Sequence, residues 1–213
     1  MCNIVVNVED CNSDARFKCD DKKKNIFLIG DSIRIGYCDT VKKLLADSAE
    51  VFYVDENCRS TQYVICSLQF WANMFSNPNL VDIVHFNCGH WDVAHWYGGK
   101  LPLTSSDEYK RNIKIIIEML RKLFPNAKII FATTTAMNPD GTIGENPRTN
   151  SEIGHYNDIA KSVSLENDVA INDLFEVTKD WQSENYADYC HFTTESFANL
   201  GKAVAEKLKY YYI

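Results

Sequence analysis

The chain has 213 residues and a net charge of −7, from 22 Lys and Arg against 29 Asp and Glu, which argues against a nucleic-acid or anionic-membrane binder because phosphate recognition needs a basic face. Hydrophobic residues at 46% and charged residues at 24% match the averages of a globular domain and exclude disorder, collagen and coiled coil. The length fits one domain, no apolar run approaches the ~18 residues of a membrane span, and residues 1–10 lack the basic and apolar regions of a secretory signal.

Residues 1–24 read as a polar, solvated lead-in ending in Asp20-Asp21-Lys22-Lys23-Lys24, and residues 25–213 as a single domain. Ile26-Phe27-Leu28-Ile29 is a short apolar strand closed by Gly30-Asp31. Val41, Leu44, Leu45 and Ala46 follow at helical spacing, with Asp39 or Thr40 available as N-cap. Val51–Val54 is the second strand, Ser60–Phe75 a helix stopped before Pro78, and Val81–Phe86 the third strand. Tyr109–Phe124 is an amphipathic helix ended by Pro125-Asn126, and Lys128–Thr133 the fourth strand. Ser151–Leu165 is a helix and Val169–Asn172 a fifth strand. Thr193 or Thr194 caps a last helix whose Phe197, Leu200, Val204 and Leu208 share one face. Apolar strands alternating with helices predict a three-layer α/β/α sandwich around a five-stranded parallel sheet. Sites in such sheets lie beyond the carboxyl ends of the strands.

The 8 cysteines contain no Cys-x-x-Cys spacing, so zinc and thioredoxin-type sites are not indicated. Reduced thiols in a cytoplasm are the expectation, several of them in the core and Cys2, Cys11 and Cys19 in the lead-in.

Ser32 stands where the first strand turns into a helix, so its hydroxyl can face the cleft and its own N–H can help bind an oxyanion. A serine nucleophile needs a general base, and the base needs an orienting carboxylate. Three Asp-x-x-His spacings occur, at Asp82/His85, Asp92/His95 and Asp188/His191. The first lies within a strand, where residues three apart face opposite sides. The third lies in a loop just before a capped helix, where a turn can join carboxylate and imidazole. It is the best candidate, and Asp92/His95 stays open.

Gly30-Asp31-Ser32, Gly89-His90-Trp91-Asp92 and Asp188-Tyr189-Cys190-His191, in that order, resemble the blocks of the SGNH/GDSL hydrolases over about residues 25–208. The resemblance implies a flavodoxin-like sandwich and a serine esterase mechanism without metal or cofactor. It makes Ser32 the nucleophile, His191 the base and Asp188 its orienting residue. Two departures concern the oxyanion hole. The family places an Asn where Trp91 stands, so Trp91 Nε1 and the nearby Asn87 are alternative side-chain donors. The family's second block carries a glycine whose N–H binds the oxyanion, and here Glu56-Asn57-Cys58-Arg59-Ser60 offers Cys58 or a neighbour.

Arg34 and Arg59 flank the site loops as candidate contacts for a substrate carboxylate or sugar hydroxyls, and surface ion pairing explains them equally well. Trp91, Trp96 and Tyr97 cluster past the third strand, and Trp96 is a candidate for stacking on a sugar ring. His85, His90 and His95 recur every five residues, which fits no helical face and does not indicate a metal. The expected function is hydrolysis of a small-acyl ester of a polar, carbohydrate-like alcohol. A lysophospholipase or thioesterase, and a non-catalytic binding domain of the same fold, are the alternatives. The expected partner is a small-molecule ester, and the oligomeric state is not legible.

Overall fold

The structure is a computed structural model and describes residues 15–141 and 144–212. Five strands form one parallel sheet in the order β2-β1-β3-β4-β5: β1 Lys24–Ile29, β2 Ala49–Tyr53, β3 Ile83–Asn87, β4 Lys128–Ala132 and β5 Ala170–Asn172. The period-two alternation of the strands builds two cores. Ile26, Leu28, Val51, Ile83 and Ile130 face α1 (Ser32–Leu45) and the C-terminal helix, from Thr194 to Lys209. Phe27, Ile29, Val84, Phe86 and Phe131 face the other way. They meet α2 (Thr61–Ala72), the amphipathic α4 (Ser106–Leu123) and α5 (Asn150–Glu166). The three-layer α/β/α sandwich follows. Short helices α3 (His90–Val93) and α6 (Leu174–Thr178) complete the set, so the C-terminal helix is α7.

Serine and threonine hydroxyls start the three longest helices. Ser105 with Glu108 and Thr149 with Glu152 form capping boxes at α4 and α5, and Thr193 caps α7. Helix α1 begins at Ser32, well before the Asp39 or Thr40 start expected from the apolar spacing, because the buried Asp31 caps it directly after β1. Gly201 lets α7 close on α1, since a Cβ there would come within 2.8 Å of the Thr40 side chain.

The lead-in also differs from the expectation. Phe17 is buried against Phe75 and pairs its backbone with Met74 and Ser76, so residues 15–19 belong to the domain and not to a solvated tail. Cys19 is partly buried, while Cys2 and Cys11 lie outside the described residues. No helix among the described residues is long and apolar enough to cross a membrane.

After β2 the chain returns to the other side of β1 to place β3, so the strand order reverses between β1 and β3. A crevice opens at the carboxyl ends of strands at such a reversal. The loops after β1 and β3 supply its floor.

Candidate active site

Gly30 and Asp31 turn the chain from β1 into α1, and the Asp31 side chain accepts the Ile33 N–H at 3.0 Å. Burial pushes the Asp31 carboxyl up, and its second oxygen has no partner among the described residues. Ser32 thereby becomes the first residue of a 14-residue helix, where the N–H has no intrahelical acceptor and the helix dipole favours negative charge.

His191 reaches Ser32 from the loop before α7, from 159 residues further along the chain. One oxygen of Asp188 accepts the N–H groups of Cys190 at 2.8 Å and His191 at 2.7 Å, which folds the loop into a turn. The other lies 2.7 Å from His191 Nδ1, and His191 Nε2 lies 2.8 Å from Ser32 Oγ. Partial burial would raise the Asp188 carboxyl, but the two backbone bonds and the imidazole outweigh it and hold the group below the usual carboxylate range. An ionised Asp188 only accepts, so His191 carries its proton on Nδ1 and presents Nε2 as acceptor to the serine hydroxyl. This chain of hydrogen bonds can activate a hydroxyl as a nucleophile.

Cys190 Sγ lies 3.6 Å from His191 Nδ1. Burial pushes this thiol up to about 12, so it stays protonated and is no rival nucleophile. Asp188, Cys190 and His191 are the one close group of metal-ligand types among the described residues.

A cleft of about 300 Å³ opens over Ser32 and His191, lined also by Asn57, His90, Trp91, Trp96, Asn146, Arg148 and Tyr189. A larger hollow of about 530 Å³ lies at the amino ends of the strands, around Lys22–Asn25 and Asn79–Asp82, and holds no serine–histidine pair.

Several expected site residues lie elsewhere. Arg34 is fully buried and donates to the carbonyls of Gly30 and Glu56, at 3.3 and 2.6 Å, so it ties two site loops together and does not line the cleft. The Cys58 N–H donates to the Gly30 carbonyl at 3.1 Å, so it is not a free oxyanion donor. The glycine-like residue of this loop is Arg59, with φ 51°. Its N–H donates to Asn57 Oδ1 at 2.8 Å, and its guanidinium lies over Tyr63 and Trp91 at the edge of the cleft. Asn87 is buried, and its amide donates to the Ala132 carbonyl at 3.0 Å, which staples β3 to β4 and keeps the side chain out of the cleft.

Trp91 and Trp96 both line the cleft, with ring centroids 4.7 Å apart. Trp91 Nε1 has no hydrogen-bond partner among the described residues, whereas Trp96 Nε1 donates to the Trp91 carbonyl at 3.4 Å. Tyr97 is exposed.

The other Asp-x-x-His spacings do not pair. Asp82 binds Lys24 and the Asn25 N–H, while His85 is buried in β3 against Asn172. Asp92 accepts from Thr61 and Thr104, and His95 binds Glu152 at 2.8 Å. His90 contacts Thr135 and Arg148, so the three histidines at five-residue spacing face separate partners.

Asn146, Arg148 and Tyr189 enter the cleft without having been singled out, as do Asn57 and His90, which were named without a role there. His90 and Tyr189 lie inside two of the quoted blocks. Asn146 and Arg148 belong to the Pro- and Gly-containing loop after β4, whose position at a strand's carboxyl end was the available signal.

The profile of the GDSL-like lipase/acylhydrolase family matches residues 28–197. The chain belongs to this family. No curated protein matches the sequence. Among solved structures, a lipase/acylhydrolase from Enterococcus faecalis is similar at 19% identity and TM-score 0.67, covering 87% of this chain and 95% of that one. An acetyl xylan esterase is similar at 17% identity and TM-score 0.67, with 86% and 99% covered. A GDSL-like lipase from Bacteroides thetaiotaomicron is similar at 13% identity and TM-score 0.68, with 90% of each chain covered. Within the GDSL-like family the glycine of the third block has a steric reason here: a Cβ on Gly89 would collide with Thr134 Oγ1.

Proposed function

We propose that this GDSL-like protein is a serine esterase that removes a short acyl group, such as acetyl, from a polar, carbohydrate-type alcohol. The observation that carries the reading is the unbroken hydrogen-bond chain Asp188–His191–Ser32, at 2.7 and 2.8 Å. Ser32 Oγ attacks the ester carbonyl while His191 Nε2 takes its proton, with Asp188 stabilising the imidazolium. The Ser32 N–H, the amide of Asn57 and the indole N–H of Trp91 are the donors available for the oxyanion, since the Cys58 N–H is taken by the Gly30 carbonyl and Asn87 is buried against the Ala132 carbonyl outside the cleft lining. His191 then gives its proton to the leaving alcohol. It next activates water, which splits the acyl-enzyme and restores the serine.

A cleft of about 300 Å³ with polar walls suits a short acyl group better than a long lipid chain. The paired rings of Trp91 and Trp96 support a sugar ring as the alcohol. The six cysteines among the described residues are free thiols, which supports a reducing compartment, the cytoplasm.

A fluorophosphonate probe read by intact mass tests the reading. The wild type takes one label and hydrolyses p-nitrophenyl acetate, and Ser32→Ala loses both. Labelling that survives Ser32→Ala rejects the assignment.

A further inference from the structure

The cleft holds a cation without a carboxylate within 4 Å among the described residues, although the charge of the buried Asp31 is near enough to feel it. Arg148, half-buried in the loop after β4, donates from Nε to His90 Nδ1 at 3.1 Å and from Nη1 to the Asn146 carbonyl at 3.1 Å. Its guanidinium lies 5.4 Å from the Tyr189 ring centroid. No carboxylate among the described residues pairs with it within 4 Å, and the Tyr189 side chain is its remaining neighbour.

The side chain is held on purpose-fitting supports from three separate segments. His90 is 4% exposed, and its Nε2 lies 3.0 Å from Thr135 Oγ1. Burial first, and the Arg148 charge second, hold this imidazole well below its usual value, so it is neutral. A neutral ring that accepts at Nδ1 bears its proton on Nε2 and donates it to Thr135. A buried histidine thus orients a half-buried arginine whose free edge lines the cleft. In a chain of net charge −7, this is a local positive site and not part of a basic surface. Arg59, above Trp91 at the rim, adds a second positive charge without a carboxylate within 4 Å among the described residues.

We infer that Arg148 is a specificity-determining residue that binds an oxyanion, carboxylate or phosphate, on the alcohol part of the ester, so that the substrate class is an acylated acidic sugar. A guanidinium fork matches either group in geometry and charge. The anion belongs to the alcohol because an acetyl-type group carries no charge, and Trp91 with Trp96 offers the ring of that alcohol a stacking face. This inference deepens the esterase reading and rests on it for the ester and its sugar-type alcohol, while the anion contact rests on Arg148 itself.

Binding and turnover test it separately. Ser32→Ala protein, full-length, is titrated by calorimetry with glucuronate, glucose 6-phosphate and glucose. At least one anion binds about 10–100-fold tighter than glucose, the range expected for hydrogen bonds to a charged group, and Arg148→Gln removes the advantage. The tighter anion identifies the natural charge as carboxylate or phosphate. Anions that bind no tighter than glucose, or an advantage that survives Arg148→Gln, overturn the inference.

For turnover, the ratio of kcat/KM for acetylated glucuronate over acetylated glucose (or the 6-phosphate pair) falls at least about tenfold in Arg148→Gln. A ratio equal to that of the wild type overturns the inference. Arg148→Lys keeps the charge but not the fork and retains part of the preference, which keeps the comparison readable if the glutamine variant does not fold. The two readings fail separately. An unlabelled Ser32 with an intact anion preference rejects the esterase, whereas a labelled Ser32 without the preference rejects the role of Arg148.

Discussion

At the scale of single residues, the members of the hydrogen-bonded chain Asp188–His191–Ser32 were legible in sequence, and which donors near it stay free was not. Ser32, Asp188 and His191 announce themselves by residue type, spacing and order. Whether an N–H is free depends on what else it bonds, and that is set by tertiary packing. Asn87 leaves β3 in the right direction, yet the Ala132 carbonyl captures its amide. Cys58 is likewise taken by the Gly30 carbonyl. Asn57 is the reverse case, because its Oδ1 accepts the Arg59 N–H and leaves the amide NH₂ at the cleft. Asn57→Ala is expected to lower kcat by ~10²–10³ with little change in KM, the cost of one oxyanion donor. Asn87→Ala should lower the unfolding midpoint by loss of the strand staple and leave kcat within about tenfold of wild type. Steady-state kinetics on p-nitrophenyl acetate, with urea melts of both variants, decide the matter. A larger kcat loss in Asn87→Ala returns the donor role to that residue.

At the scale of elements, α2, α3 and α4 are joined by one buried carboxylate. Asp92, in α3, accepts the Thr61 N–H and hydroxyl at the start of α2, and the Thr104 hydroxyl just before α4. Burial pushes its carboxyl up to about 6 despite those bonds. A raised carboxylate pKa stabilises the fold fully below the unfolded value near 4 and loses that contribution as pH rises to about 6. Asp92→Asn removes the titration. The stability of wild type relative to Asp92→Asn is therefore expected to fall between pH 4 and pH 6, by at most about 3 kcal/mol. Urea unfolding at several pH values reads it, and a difference that is flat across the range refutes it. Asp92 was legible as a motif residue and as an unsettled catalytic candidate. Its partners are 31 and 12 residues away, which is why its structural task could not be read. The helix starts were partly legible for the same reason in reverse, since caps are local: Thr193 was named, while Asp31 was passed over although Ile33, Tyr37, Val41 and Leu45 recur at helical spacing from the turn onward.

For the whole molecule, alternating apolar runs were enough to place a parallel sheet between two helical layers, because strand and helix periods survive in any sequence that buries both faces of a sheet. A lone aromatic in a polar stretch leaves no such period. Phe17 therefore read as part of a solvated lead-in, whereas it closes one core from outside the sheet. Its ring lies 5.0 Å from Phe75, 5.5 Å from Phe52 and 6.3 Å from Phe27, and its N–H and carbonyl each make a 2.8 Å backbone bond to residues 74 and 76. At 7% exposure the side chain is a core residue, and truncating a buried Phe to Ala costs about 3–5 kcal/mol. The backbone bonds survive that substitution, so the loss isolates ring packing. Phe17 packs on Phe27, Phe52 and Phe75, and none of these rings lines the cleft over Ser32 and His191. Phe17→Ala is thus expected to lower the unfolding free energy read from urea melts by that amount while kcat/KM, measured well below the unfolding temperature, stays within about twofold of wild type. A shift below about 1 kcal/mol would return residues 15–19 to the solvent-exposed lead-in first read from their composition.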